Sequence, residues 1–167
     1  MPASYARYLS WLLAPAILAA LIALNPLNRP TYVMGDFRAF YCAGAAIAQH
    51  ANPYLEEPLR GCEAHAGPPA EPEFLQPVAL PAPLPPYALA LFVPFGLLPF
   101  PVAAVLYGML LIAAMTGATV LYARVTGVSS VLLNVVFAAI TATVTYYVGQ
   151  PVPLVFLALA AAALFAR

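Results

Sequence analysis

Between residues 74 and 123 the chain runs for fifty positions without one Asp, Glu, Lys or Arg. Residues 8–28 and 125–166 share that property. An ionised side chain near a bilayer centre costs roughly 2.5–3.5 kcal/mol on insertion scales, so charge-free gaps of this length are what spanning segments require. In water the same gaps could not be hidden. A chain of 167 residues has a high ratio of surface to volume, and 64% of this one is hydrophobic against 7% charged. The pattern excludes a soluble globular enzyme and a disordered chain. With a formal net charge of zero there is no general basic surface for nucleic acid, so the bilayer is the expected partner and nucleic acid is not.

A helix crossing the hydrocarbon needs about 20 apolar residues. The sequence predicts an all-α integral membrane protein, a single membrane domain over 1–167, with about four transmembrane helices at 8–27, 102–123, 131–148 and 151–166. Pro15 kinks the first, which neighbouring helices tolerate. Residues 87–98 are apolar but too short to cross, and Pro94 with Leu98-Pro99-Phe100-Pro101 breaks them. They are expected to form an interfacial or re-entrant helix leading into the second span.

With four spans, Arg7, Arg124 and Arg167 all fall on one side, which the positive-inside rule makes cytoplasmic. The 29–85 loop is then extracytoplasmic, together with the Gly149-Gln150 turn. This loop holds all six acids and three arginines, which makes it net acidic. The predicted location is a cell membrane, crossed several times. A cleaved signal peptide, with Arg7 in its charged region and 9–24 as its apolar core, is the alternative for the N-terminus. Asn25-Pro26-Leu27-Asn28 offers no small-residue cleavage site, which favours a span. The hydrophobic run ending at Arg167 reads as part of a longer polytopic protein.

Inside the loop, 36–49 reads as a helix. Phe37, Phe40, Tyr41, Gly44, Ala45 and Ala48 share one face at i, i+3, i+4, i+7 spacing and should lie on the membrane or against the spans. Gly44 and Ala48 permit close approach of another helix, and Asn52-Pro53 ends the segment. Asp36 opens the helix, either as an N-cap accepting backbone N–H bonds or as a general base at the membrane surface. Eight prolines between Pro68 and Pro86 favour extended geometry, a semi-rigid strap. Cys42 and Cys62 would be free to bridge in an oxidising compartment, but their spacing leaves the pairing open. His50, Glu63 and His65 lack tight ligand spacing, so no metal site and no cofactor is expected. Tyr146, Tyr147 and Gln150 end the third span as interfacial anchors.

Several pieces, in order, resemble the N-terminal portion of glycosyltransferase family 87, polytopic GT-C-type enzymes that use polyprenyl-phosphate-linked sugars. They are a first span followed by Gly35-Asp36-Phe37 with Tyr41 a turn later, then Asn52-Pro53-Tyr54, then Pro85-Pro86-Tyr87 opening an apolar segment that ends Leu97-Leu98-Pro99, and finally Gly149-Gln150. The resemblance implies a membrane glycosyltransferase of the cell envelope, or its N-terminal part. Such an enzyme moves a hexosyl or pentosyl unit (mannosyl or arabinofuranosyl) from a polyprenyl-phosphate sugar donor to an extracytoplasmic glycan or glycolipid acceptor. It implies Asp36 as the catalytic base and Arg38, Tyr41, Asn52, Tyr54 and Gln150 as substrate-binding residues. Charge alone makes Arg38, Arg29 or Arg60 the candidate to assist the lipid phosphate. The alternative class is a non-catalytic helical membrane scaffold, assembly protein or inactive remnant. A channel or transporter is not indicated, because the spans carry no ionisable residue.

Overall fold

The computed structural model describes residues 34–66, 79, 81–128 and 149–166. The expected spans 8–27 and 131–148, the anchors Tyr146 and Tyr147, Arg7, Arg29, Arg167 and residues 68–78 of the proline-rich stretch lie outside the described residues. Every described element is helical, and there is no strand among the described residues. The chain forms two compact units, one of Pro30–Tyr107 and one of Met1–Arg29 with Gly108–Arg167.

In the unit Pro30–Tyr107, helix α1 (Gly35–Ala48) is the central element. It packs against α2 (Glu56–Ala66) and against a broken helix made of α3 (Pro86–Leu89), a 3₁₀ turn (Ala90–Phe92) and α4 (Val93–Gly96). The expected helix over 36–49 is present, but its environment differs from the expectation. Phe37, Ala39, Phe40, Cys42, Ala43, Gly44 and Ala46 are all buried, which is wider than a single amphipathic face. Tyr41, Ala45 and Ala48, expected on that face, are only half-buried. The cause is packing from two directions. Cys42 is bonded to Cys62 of α2, with Cα atoms 5.6 Å apart. Gly44 meets the broken helix so closely that a Cβ there would stand 2.6 Å from the Phe92 carbonyl carbon. Gly96 answers from the other side, where a Cβ would lie 2.7 Å from Ala45 Cα. Of the two small residues expected to allow close approach, Gly44 does so.

The apolar segment 87–98 is thus three short helical pieces. Pro94 has no N–H to give to the Ala90 carbonyl, so a regular α-helix cannot run through this point. Its buried side carries Leu89 and Phe92, whereas Tyr87, Leu91 and Leu97 are exposed. Pro85 has φ −65° and ψ 156°, the extended geometry its composition favours. Glu57, the residue before Pro58, is also extended (ψ 120°), so α2 is irregular in its first turn. The Glu57–Pro58 peptide bond is cis.

Helix α5 (Phe100–Thr126) has 27 residues, about 40 Å at 1.5 Å per residue. It is the one described helix long and apolar enough to cross a membrane. The prolines flanking Phe100 start it rather than break it. The Pro99 carbonyl accepts from the Val102 and Ala103 N–H groups, both at 3.0 Å, and Pro101 sits in the first turn, where no intrahelical donor is needed. In the unit containing Gly108–Arg167, the buried side of α5 is rich in small residues, including Ala114 and Ala118. Gly117 packs against Leu157 of α6 (Val152–Phe165). Small residues at such contacts allow backbones to approach where hydrophobic contrast cannot drive association. Thr116 and Thr119 satisfy their hydroxyls on the carbonyls of Ile112 and Met115, both at 2.9 Å. Gly127, at φ 70°, takes the left-handed turn that ends α5. The fourth expected span is a wholly apolar helix of 14 residues, about 21 Å, preceded by Gly149 at φ 74°.

Candidate functional site

Asp36 is the second helical residue of α1, not its N-cap. The N-cap is Met34, whose carbonyl accepts the Arg38 N–H at 3.0 Å and whose side chain makes no capping bond. Met34 is buried and adopts a left-handed conformation, φ 67° and ψ 38°, costly for any residue with a Cβ. This turn starts the helix one residue earlier than the sequence suggested. It leaves the Asp36 carboxylate in the first turn, beside the positive end of the helix dipole. Asp36 is half-buried.

The residues around it come from α1 and the beginning of α5. Asp36 lies within electrostatic range of Tyr107. Tyr107 lies flat on Phe37, with ring centroids 4.2 Å apart and planes 10° from parallel. Phe37 is fully buried and also meets Phe95 edge-on at 5.7 Å and Phe100 at 6.1 Å. Aromatic pairs of this kind contribute about 0.5–1.5 kcal/mol each beyond their area burial. They hold the first turn of α1 in place. Sequence reasoning missed Tyr107. The signal for it was a tyrosine in the interior of a charge-free helix, where a polar tip is unusual.

The other expected site residues have placements of their own. Arg38 is half-buried and two residues further along the same helix, a spacing that puts two side chains on different faces. Tyr41 donates to the Leu98 carbonyl at 2.8 Å, tying α1 to the turn before α5, and burial pushes its phenol pKa up. The Asn52 side chain accepts the Tyr54 N–H at 3.0 Å, a local turn. Tyr54 donates to the Leu84 carbonyl at 2.7 Å and so holds the strap to the Asn52-Pro53-Tyr54 corner. Arg60 pairs with Glu56 one turn before it on an exposed face. Gln150 belongs to the other unit, in the turn before α6.

Among the described residues no group of three or more His, Cys, Asp or Glu side chains could hold a metal ion. His65 Nδ1 instead faces the Gly61 carbonyl at 2.7 Å. An open cleft of about 460 Å³ lies between α1, α2 and the first residues of α5, its described lining including Tyr41, Gln49, His65 and Phe100.

Comparisons with protein families, with curated proteins and with solved structures find no match to this chain.

Proposed function

We propose that this chain is the N-terminal part of a multi-pass membrane glycosyltransferase of family 87 type, with the loop containing α1 and α2 outside the cytoplasmic membrane. Four spans, 8–27, 102–123, 131–148 and 151–166, and an interfacial helix over 87–98 belong to this reading. The supporting observation is the setting of Asp36. It is an acid in the first turn of a helix anchored by aromatic packing, next to a strained Met34. Its field reaches Tyr107, seven residues and about 10 Å along the membrane-compatible helix α5. A carboxylate on a helix packed against the start of an apolar helix is suited to a substrate whose headgroup rides at the interface and whose prenyl tail stays in lipid.

The chemistry follows from that setting. An acceptor hydroxyl attacks the anomeric carbon of the lipid-linked sugar and gives its proton to the Asp36 carboxylate. The bond between anomeric carbon and phosphate oxygen breaks, and the phosphate leaves with the electron pair. Of the loop arginines weighed for this role, Arg60 is engaged by Glu56, which leaves Arg38 as the described one to meet that phosphate. The Cys42–Cys62 disulfide supports the outward orientation, because such bonds persist in oxidising compartments.

A second reading, a non-catalytic helical scaffold, is favoured by the bonds of Tyr41, Asn52 and Tyr54 to backbone groups, which give all three a structural task. Asp36→Asn in the full-length protein separates the two. A general base contributes about 10²–10⁴-fold, so transfer from a polyprenyl-phosphate sugar should fall by that factor while the Cys42–Cys62 bond still forms. Undiminished transfer, or no transfer by the wild type with any such donor, supports the scaffold.

A further inference from the structure

We propose that Cys62 is a thiol–disulfide exchange site, reached by a small thiol through the open cleft between α1, α2 and the start of α5. The two sulfurs of the Cys42–Cys62 bond are not equivalent. Cys42 is enclosed within α1 at 0% exposure and is not among the residues that line the cleft. Cys62 is half-buried and does line it. Next to Cys62, Gly61 is exposed, and an added Cβ there would meet nothing within 4 Å, so the approach is open. The rate of exchange depends on which sulfur is attacked and on access to it. An incoming thiolate approaches along the S–S axis, on the side away from the leaving sulfur. That side is open at Cys62 and buried at Cys42.

The nucleophile is the thiolate, so the thiol must first give up its proton. His65, three residues after Cys62 on α2, is its neighbour on the helix surface and lines the same cleft. A carbonyl can only accept, so His65 Nδ1 carries the hydrogen directed at Gly61 at 2.7 Å. The Nε2 lone pair is then left to take the thiol proton. Tyr41, the other titratable side chain in the lining besides the bonded Cys62, has its hydrogen committed to the Leu98 carbonyl. The incoming sulfur bonds to Cys62 Sγ, the bond between the two Sγ atoms breaks, and Cys42 Sγ leaves with the electron pair and receives the proton. The products are a mixed disulfide at Cys62 and a Cys42 thiol, with no net oxidation. In the reverse step Cys42 Sγ displaces the small thiol, so closing the bond in the folded chain passes through the same intermediate. Because α2 buries just Leu59 and Ala66, the bond is a principal fastening of this helix, and exchange sets how firmly it is held. The inference does not depend on the transferase reading, since it uses neither Asp36 nor a sugar.

The test treats the full chain in lipid nanodiscs with reduced glutathione, quenches with acid at short times and maps the adduct by mass spectrometry. Trypsin cuts after Arg60, which puts the two cysteines on different peptides. The adduct is expected on Cys62. An adduct on Cys42, equal amounts on both, or a bond that opens only in denaturant overturns the proposal. Cys42→Ser cannot close the bond again, so with oxidised glutathione it should accumulate adduct roughly tenfold faster than Cys62→Ser, whose remaining thiol is buried and inert. Equal rates overturn the proposal, and the wild-type mapping stands even if either variant fails to fold. At about pH 7.5 roughly a tenth of an ordinary thiol is ionised, so His65→Ala should slow opening by glutathione by up to about tenfold. Sulfite attacks the same bond with no thiol proton to lose, and its rate should not change. A substitution that slows both reagents equally, or neither, removes His65 from the step.

Discussion

Substituting one glycine at a time separates close packing from helix propensity in this chain. Gly44 and Gly61 both lie inside helices, and replacing either by alanine gains about 1 kcal/mol of intrinsic helix propensity. At Gly61 a new Cβ meets nothing within 4 Å, so the gain survives and the protein should be stabilised by about 0.5–1 kcal/mol. At Gly44 the new Cβ would stand 2.6 Å from the Phe92 carbonyl carbon and 3.0 Å from the Val93 nitrogen. Carbon atoms pack best at about 3.5–4.0 Å, so the broken helix must retreat by about 1 Å. Overpacking of this kind costs about 1–3 kcal/mol, and the obstacle is backbone, which cannot rotate aside. The net expectation for Gly44→Ala is destabilisation by up to about 2 kcal/mol, and by about 1–3 kcal/mol relative to Gly61→Ala. For a chain of this length each kcal/mol lowers Tm by about 2–4 °C. Near-UV circular dichroism of the aromatic cluster around Phe37, recorded on heating in detergent micelles, measures it. If Gly44→Ala is as stable as Gly61→Ala, the contact between α1 and the broken helix is wrong. Gly96→Ala closes the same crevice from the other side, so its effect should not add to that of Gly44→Ala.

Three further outcomes follow from other parts of the chain. Val105→Arg, on the exposed apolar side of α5, should impair membrane insertion by roughly 2.5–3.5 kcal/mol, read as reduced insertion in a glycosylation-mapping assay; unchanged insertion would argue that α5 does not face lipid. Removing the disulfide by Cys42→Ala with Cys62→Ala opens a closed loop with a sequence separation of 20 and should cost about 3 kcal/mol, seen as a lower unfolding temperature than the oxidised wild type. The raised pKa of Tyr41 means that the native state keeps this proton when the unfolded chain releases it near pH 10. Its contribution is therefore whole below that pH and shrinks as the pH climbs through the native value. Tyr41→Phe should flatten this alkaline loss of stability, and an identical pH profile for the variant would refute the assignment.

Several features of this protein were legible from residue order alone, because each depends on short-range chemistry. The helix near 36–49 followed from its 3.6-residue pattern and ended before Asn52-Pro53, close to the observed Gly35–Ala48. The long apolar helix over 102–123 followed from the absence of charge, and the observed Phe100–Thr126 contains it. The break at Pro94 followed from a missing N–H. What only the tertiary structure decided was which groups these elements bring together. Spacing left Cys42 and Cys62 open, and the bond exists because α2 folds back onto α1. The resemblance implied substrate contacts for Tyr41 and Tyr54, and the folded chain gives each of them a bond to a distant backbone carbonyl, of Leu98 and Leu84 respectively. Nothing local to Tyr107 linked it to Phe37; that stacking needs α5 to pass beside the first turn of α1. Periodicity, proline and charge act over a few bonds and are written in the chain, whereas contacts across 20 to 70 residues depend on how helices pack.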